Sequence, residues 1–171
     1  MKLYHIDRTH RLSEGDVIKL FDDYKVTGPE GSKIRRYVRK LYPDGITEHG
    51  NRYLFDGKVG NWLLEAYLEA ARLRSYPKAP SRFQSFFAVS ADIIPQMRTR
   101  ISANPSDPVF EVDSEHYDVY DMSLIDVLGD KDIGGFATLQ YFADKYWAKE
   151  RSMVPLLEYL VRPPVTIGPR I

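Results

Sequence analysis

Leu3, Tyr4 and Ile6 surround His5 in a short apolar run that reads as a first strand. The turn-rich Leu12-Ser13-Glu14-Gly15-Asp16 then feeds a second short strand at Val17-Ile18. The period changes after that. Ile34, Val38 and Leu41 recur at helical spacing through residues 32–41, with Arg35, Arg36, Arg39 and Lys40 on the other faces and Ser32 where an N-cap belongs. A longer helix is predicted from about Val59 to Leu73. Trp62, Leu63, Ala66, Tyr67, Ala70 and Leu73 form its apolar stripe, and Glu65 and Glu69 lie elsewhere. Past the proline-rich connector from Tyr76 to Pro80, the aromatic and β-branched run Phe83 to Val89 reads as a buried strand. Two strands, Pro108 to Val112 and Tyr117 to Tyr120, flank the turn Asp113-Ser114-Glu115-His116. A helix from about Phe136 to Lys149 follows, turning Leu139, Phe142, Ala143, Tyr146 and Trp147 inward. Leu156 to Val161 and Val165 to Ile171 read as the closing strands.

Strands at both ends, strands clustered late and helices mainly in the first half do not alternate as βαβ units do. The pattern predicts an α+β domain on a mixed or antiparallel sheet, a single unit over residues 1–171 with a helical insertion over about 30–76. Composition narrows the class. With 43% hydrophobic and 28% charged residues the chain is ordinary for a globular protein, and disordered, collagen-like and disulfide-scaffold classes fall away. The 24 basic residues balance 24 acidic ones, which removes the simplest argument for a nucleic-acid or membrane-surface protein. No cysteine is present, which excludes a disulfide framework and any cysteine-based zinc site and fits a reducing compartment. No apolar run approaches the roughly 20 residues that span a bilayer, and the first residues lack a signal peptide's apolar stretch. The expectation is a soluble cytoplasmic protein with no membrane partner. Aromatics reach 13%, with 12 Tyr, 8 Phe and 2 Trp, which serves either a packed core or stacking surfaces for a planar ligand.

Phosphate-binding glycine loops, a nucleophile elbow and His-Glu-x-x-His are all missing. His5, His10, His49 and His116 are scattered, so no metal site is expected. The carboxylates Asp113, Glu115, Asp118 and Asp121 read as a solvated strand-to-strand turn. Three positions carry candidate chemistry. His5 in the first strand is a satisfied core histidine or a ligand contact. Arg82, in Pro80-Ser81-Arg82-Phe83, is structurally paired or awaits a phosphate or carboxylate. Glu158, the only charge in Leu156-Leu157-Glu158-Tyr159-Leu160-Val161, faces solvent or a cleft.

These residues carry a resemblance. Tyr4-His5 followed by Leu12-Ser13-Glu14-Gly15-Asp16-Val17-Ile18 resembles the opening of diphtheria-toxin-like ADP-ribosyltransferases, and is especially similar to that of the rifamycin-modifying ones. Glu158-Tyr159-Leu160-Val161 resembles the strand that carries their catalytic glutamate. Pro80-Ser81-Arg82 before Phe86-Phe87-Ala88, with Tyr146-Trp147 on the late helix, is similar to an uncharacterised bacterial family of unknown function. The resemblance implies split sheets and an NAD-dependent mono-ADP-ribosyltransferase. In it Glu158 would be catalytic, His5 would hold the adenosine-side ribose, and Phe87, with Phe86, would stack on nicotinamide. Arg82 would pair with the pyrophosphate. Where the superfamily has a tyrosine this chain has Phe87, which stacks but donates no hydrogen bond. NAD is the implied co-substrate. The acceptor is a protein, nucleic acid or small molecule, and a toxin of bacterial or phage origin would also meet a protein inhibitor or antitoxin. NAD hydrolysis and an inactive nucleotide- or protein-binding module are the alternatives. A 2′-phosphotransferase acting on RNA is a third, if Lys33, Arg35, Arg36, Arg39 and Lys40 lined the cleft.

Overall fold

β1 (Leu3–Ile6) pairs antiparallel with β4 (Val109–Asp113), whose other edge takes β7 (Val165–Arg170). Two-residue β2 (Val17–Ile18) closes the order β1-β4-β7-β2. A second antiparallel sheet runs β3-β6-β5, from β3 (Phe86–Ala88), β6 (Leu157–Val161) and β5 (Tyr117–Asp121). These come from a computed structural model that describes residues 2–56, 61–126 and 135–171. Tyr4 and Val89 exchange two 2.8 Å backbone hydrogen bonds, which fasten the first strand to the end of β3 and so join the two sheets. The architecture is α+β with two antiparallel sheets.

Strand alternation sorts the core into layers. Leu3, Ala88, Val112, Tyr159, Val161 and Val165 fill the space between the sheets. The other face of the three-stranded sheet, with Tyr120 and Leu160, packs under α3 (Trp62–Ser75) and α6 (Phe136–Trp147) through Leu68, Ala71, Ala143, Tyr146 and Trp147. Burying side chains of this size stabilises the fold by roughly 1.5–3 kcal/mol each. Helix α1 (Gly31–Leu41) lacks the expected Ser32 cap, because Glu30 holds the N-cap position.

Several elements depart from the sequence pattern. Helix α2 (Glu48–Phe55) was not predicted, and α4 (Ile94–Arg100) and the short α5 (Ser123–Asp126) were not either. The run expected as one strand from Phe83 begins as a 3₁₀ turn, Arg82–Gln84, before β3. The stripe predicted on α3 is largely outside: Leu63 is 61% exposed, while Glu65, Leu68, Glu69 and Arg72 are buried. Val59, its expected first residue, lies outside the described residues. The polar face turns inward because its charges find partners there.

Asp121 also departs from its expected solvated turn. It is 0% exposed and accepts hydrogen bonds from the backbone N–H groups of Ser123 (2.9 Å), Ser152 (2.7 Å) and Leu156 (3.0 Å), pinning the end of β5 to the approach to β6. Burial opposes its ionisation, but those donors outweigh burial and hold the carboxyl below its ordinary 3.8. A depressed acid lends stability above its unfolded pKa and loses it as pH falls through the folded one. Asp121→Ala is therefore expected to cost about 2–4 kcal/mol at neutral pH, because the Ser123 and Ser152 N–H groups lose their acceptor and Leu156 N–H keeps only Ser123 Oγ at 3.1 Å. The cost should shrink below about pH 4. Urea melts at both pH values check this, and an equal cost at each would deny the ionised role.

Candidate active site

The Pro80-Ser81-Arg82 motif lies against α3, where Glu65 and Glu69 stand one helical turn apart on the inward face. Each glutamate takes one residue of the motif. Ser81 Oγ donates to Glu69 Oε1 at 2.9 Å, and Glu69 also accepts from Tyr42 OH (3.0 Å) and from Arg72 Nη2 and Nε (2.8 and 3.0 Å). Arg82 donates to Glu65 through Nε (2.8 Å) and Nη2 (2.9 Å), a bidentate pair. Its Nη1 donates to Tyr146 OH (2.6 Å) and to Glu158 Oε1. Tyr146 OH donates in turn to Glu158 Oε1 at 2.7 Å. Three short motifs far apart in sequence, Ser81-Arg82, Tyr146-Trp147 and the Glu158 strand, thus meet in one buried cluster. Trp147 Nε1 adds a 2.8 Å bond to the Leu68 carbonyl, fixing α6 on α3.

Glu158 is 2% exposed, so its carboxylate does not face bulk solvent. Arg82 and Tyr146 anchor its Oε1, while Oε2 accepts no hydrogen bond among the described residues. The cluster sets two carboxylates, Glu65 and Glu158, against one guanidinium, a formal excess of one negative charge. Burial disfavours the ionised Glu65, but Arg82, then His49, outweigh it and hold its carboxyl well below the usual range. Burial likewise disfavours the Arg82 cation, and Glu158 and Glu65 more than restore it. Burial and Glu158 push the Tyr146 phenol up, so it stays a neutral donor.

The choice left open at Arg82 falls to pairing. Every guanidinium nitrogen is engaged and the residue is 4% exposed, so the pyrophosphate contact is not available to it as the resemblance implies. Its role in the site is to hold Glu158. Phe86 and Phe87 also part company. Phe87 pairs with Leu160 and shares its face with Glu158, whereas Phe86 pairs with Val161 and enters the layer between the sheets. They cannot clamp one planar ring together, because consecutive strand residues point to opposite faces. Phe87 lies under the Arg82 guanidinium, 4.8 Å from the ring centre, and Phe86 against His5, at 4.3 Å.

His5 is half-buried on β1. Its Nδ1–H donates to the Phe87 carbonyl at 2.7 Å, which leaves Nε2 as an acceptor on the neutral ring. Burial lowers its pKa and the Phe87 bond opposes this, so the ring stays neutral. Sequence reasoning missed three members of the cluster: Glu65, placed on the outer face of its helix; Tyr146, read as core; and His49, taken as scattered. His49 comes from the unpredicted α2 and packs against Phe87 (4.4 Å) and Tyr53 (4.7 Å). Glu65 and Glu69, four apart with Arg72 three further on, were the available signal.

No helix among the described residues is long and apolar enough to cross a membrane. The model of a family described as "Protein of unknown function (DUF2441)" matches residues 3–171. No curated protein matches the chain.

Proposed function

The chain belongs to the DUF2441 family, and we propose that it is an NAD-dependent ADP-ribosyltransferase that cleaves the nicotinamide–ribose bond and passes ADP-ribose to an acceptor. The observation that carries this reading is the anchoring of Glu158: one oxygen held by Arg82 and Tyr146, the other left for a ligand. Loss of nicotinamide leaves positive charge on the ribose, as in glycoside hydrolysis. A buried cluster with an excess negative charge stabilises that charge, and its geometry is preset before the substrate arrives. Glu158 Oε2 accepts the ribose 2′-hydroxyl, Phe87 supplies a stacking face beside it, and neutral His5 Nε2 accepts a hydroxyl of the second ribose. The resemblance of the first and last motifs to ADP-ribosyltransferases agrees with these roles. Arg82 acts through Glu158 and is a positioning residue. With water as acceptor the same site is an NAD glycohydrolase.

Purified protein incubated with NAD, with and without cell extract, should release nicotinamide. Release only with extract identifies a macromolecular or small-molecule acceptor, and release without it identifies water. No release together with no thermal shift by NAD would sink the reading. His5→Ala should weaken NAD binding about tenfold, the loss of one well-placed hydrogen bond. Calorimetric titration checks this, and unchanged affinity with lower stability would return His5 to the core.

A further inference from the structure

We propose that His49 is the general base of this site, taking the proton from the acceptor's hydroxyl group or from water. The inference rests on the NAD-cleaving reading above and deepens it by naming the acceptor's chemistry: an oxygen nucleophile bearing a proton. Thr47 caps α2, its hydroxyl accepting from Gly50 N–H at 3.4 Å, and its backbone N–H donates to the Phe83 carbonyl at 2.9 Å. Gly50 permits this approach, since a Cβ there would stand 2.3 Å from the Phe83 oxygen. The first turn of α2 is thereby locked to the 3₁₀ turn that carries Arg82, and His49 has little freedom to move.

The ring lies between Tyr53 and Phe87, with about a quarter of the side chain exposed. Its Nε2 is buried and without a hydrogen bond among the described residues, and faces Glu65 Oε2 at 3.6 Å. A closer approach on substrate binding would turn this ion-pair distance into a hydrogen bond, as catalytic contacts often tighten in the complex. With Nε2–H directed at Glu65, Nδ1 carries the lone pair. Glu65 then orients the base and offsets the charge it gains, in the manner of a carboxylate behind a histidine. Besides Glu65, the titratable group against the ring is Tyr53; the nearby charged and titratable groups reach it only through neighbours, Arg52 over Tyr53, Arg82 over Phe87, and His5 on the Phe87 carbonyl. Arg82 bonds both Glu65 and Glu158, so one guanidinium spaces the base from the carboxylate that faces the ribose.

The step balances. The acceptor oxygen bonds to ribose C1′ as the C1′–nitrogen bond breaks. The electron pair of that bond leaves with nicotinamide and cancels its positive charge. The acceptor's proton passes to His49 Nδ1 and then to solvent.

The test compares wild type, His49→Ala and His49→Gln as full chains, measuring nicotinamide release from NAD with water alone and with added methanol as a defined hydroxyl acceptor. Rates are taken across pH, with and without free imidazole, beside NAD affinity and melting. The expected result for His49→Ala is about a 10²-fold loss of release with NAD affinity retained. The acid-side fall of the wild-type profile should disappear, and imidazole should restore part of the rate. A wild-type rate and profile in both variants would overturn the proposal, as would a loss that neither changes the profile nor responds to imidazole. If His49→Ala does not fold, His49→Gln carries the same readouts except rescue. Loss in Glu158→Gln with full activity in the His49 variants would remove His49 alone. A wild type that neither binds nor cleaves NAD would overturn the NAD reading, and this inference with it.

Discussion

Arg82→Met is expected to destabilise the protein by about 3–5 kcal/mol, the largest loss from any single side chain in the cluster. Methionine fills much of the volume but supplies no charge, and two buried carboxylates, Glu65 and Glu158, lose their shared cation together. A pair of this kind adds little over a well-packed apolar substitute. Breaking one side of it is what costs. For a chain of this length the melting temperature should fall on the order of 10 °C. The pH dependence gives a sharper test than the midpoint. In the wild type the depressed Glu65 lends stability above its ordinary pKa of 4.5, lost as pH falls through the lower folded value. Without Arg82 burial acts on Glu65 with only His49 to oppose it, the folded pKa rises, and acid should then stabilise the variant relative to wild type. Guanidinium melts from about pH 2 to 8 read both effects. A variant within 1 kcal/mol of wild type at every pH would mean that water, not Arg82, satisfies the carboxylates. Arg82→Lys should recover only part of the loss, because an ammonium cannot make the bidentate bond to Glu65.

The strands were legible and the site was not, for one physical reason. Strands β1, β4, β5 and β7 are antiparallel strands with partly exposed positions, β6 is buried almost throughout, and alternation or a short apolar run marks them directly. On α3 the same reasoning reversed the helix. Trp62, Leu63 and Leu73 read as the buried stripe, yet the inward face is Glu65, Leu68, Glu69 and Arg72. Hydrophobic periodicity treats every charge as solvated, and so fails where charges are buried in pairs. Helix α2 escaped for a related reason. Its sequence, Glu-His-Gly-Asn-Arg-Tyr-Leu-Phe, holds an interior glycine and polar residues, and its place is set by the Thr47 cap and the Gly50 contact instead of a stripe. Glu158 and Arg82 could be singled out as charges in apolar runs, but that they touch each other depends on folding β6 against the 3₁₀ turn. The Phe86-Phe87 pair shows the limit from the other side. Both are aromatic and adjacent, and strand geometry gives them to different layers.

Glu158→Gln should separate chemistry from stability in the opposite sense to Arg82→Met. The amide keeps the shape, and its oxygen can still accept from Arg82 and Tyr146 at the anchored position. Removing this charge leaves Glu65 and Arg82 as a balanced pair, so melting should move by less than about 1 kcal/mol. Turnover should not survive so well. The developing positive charge on the ribose loses the nearest carboxylate in a site closed to water, where such a charge is worth most. A loss of 10²- to 10³-fold in nicotinamide release is expected, equivalent to about 3–4 kcal/mol of transition-state stabilisation. NAD affinity should change far less, because the charge being stabilised is absent from the ground state. Release at the wild-type rate would remove Glu158 from the mechanism. A matched loss of NAD affinity and release would make it a binding residue only. NAD binding by both proteins with release by neither would identify the inactive nucleotide-binding module, in which the cluster positions a ligand without breaking it.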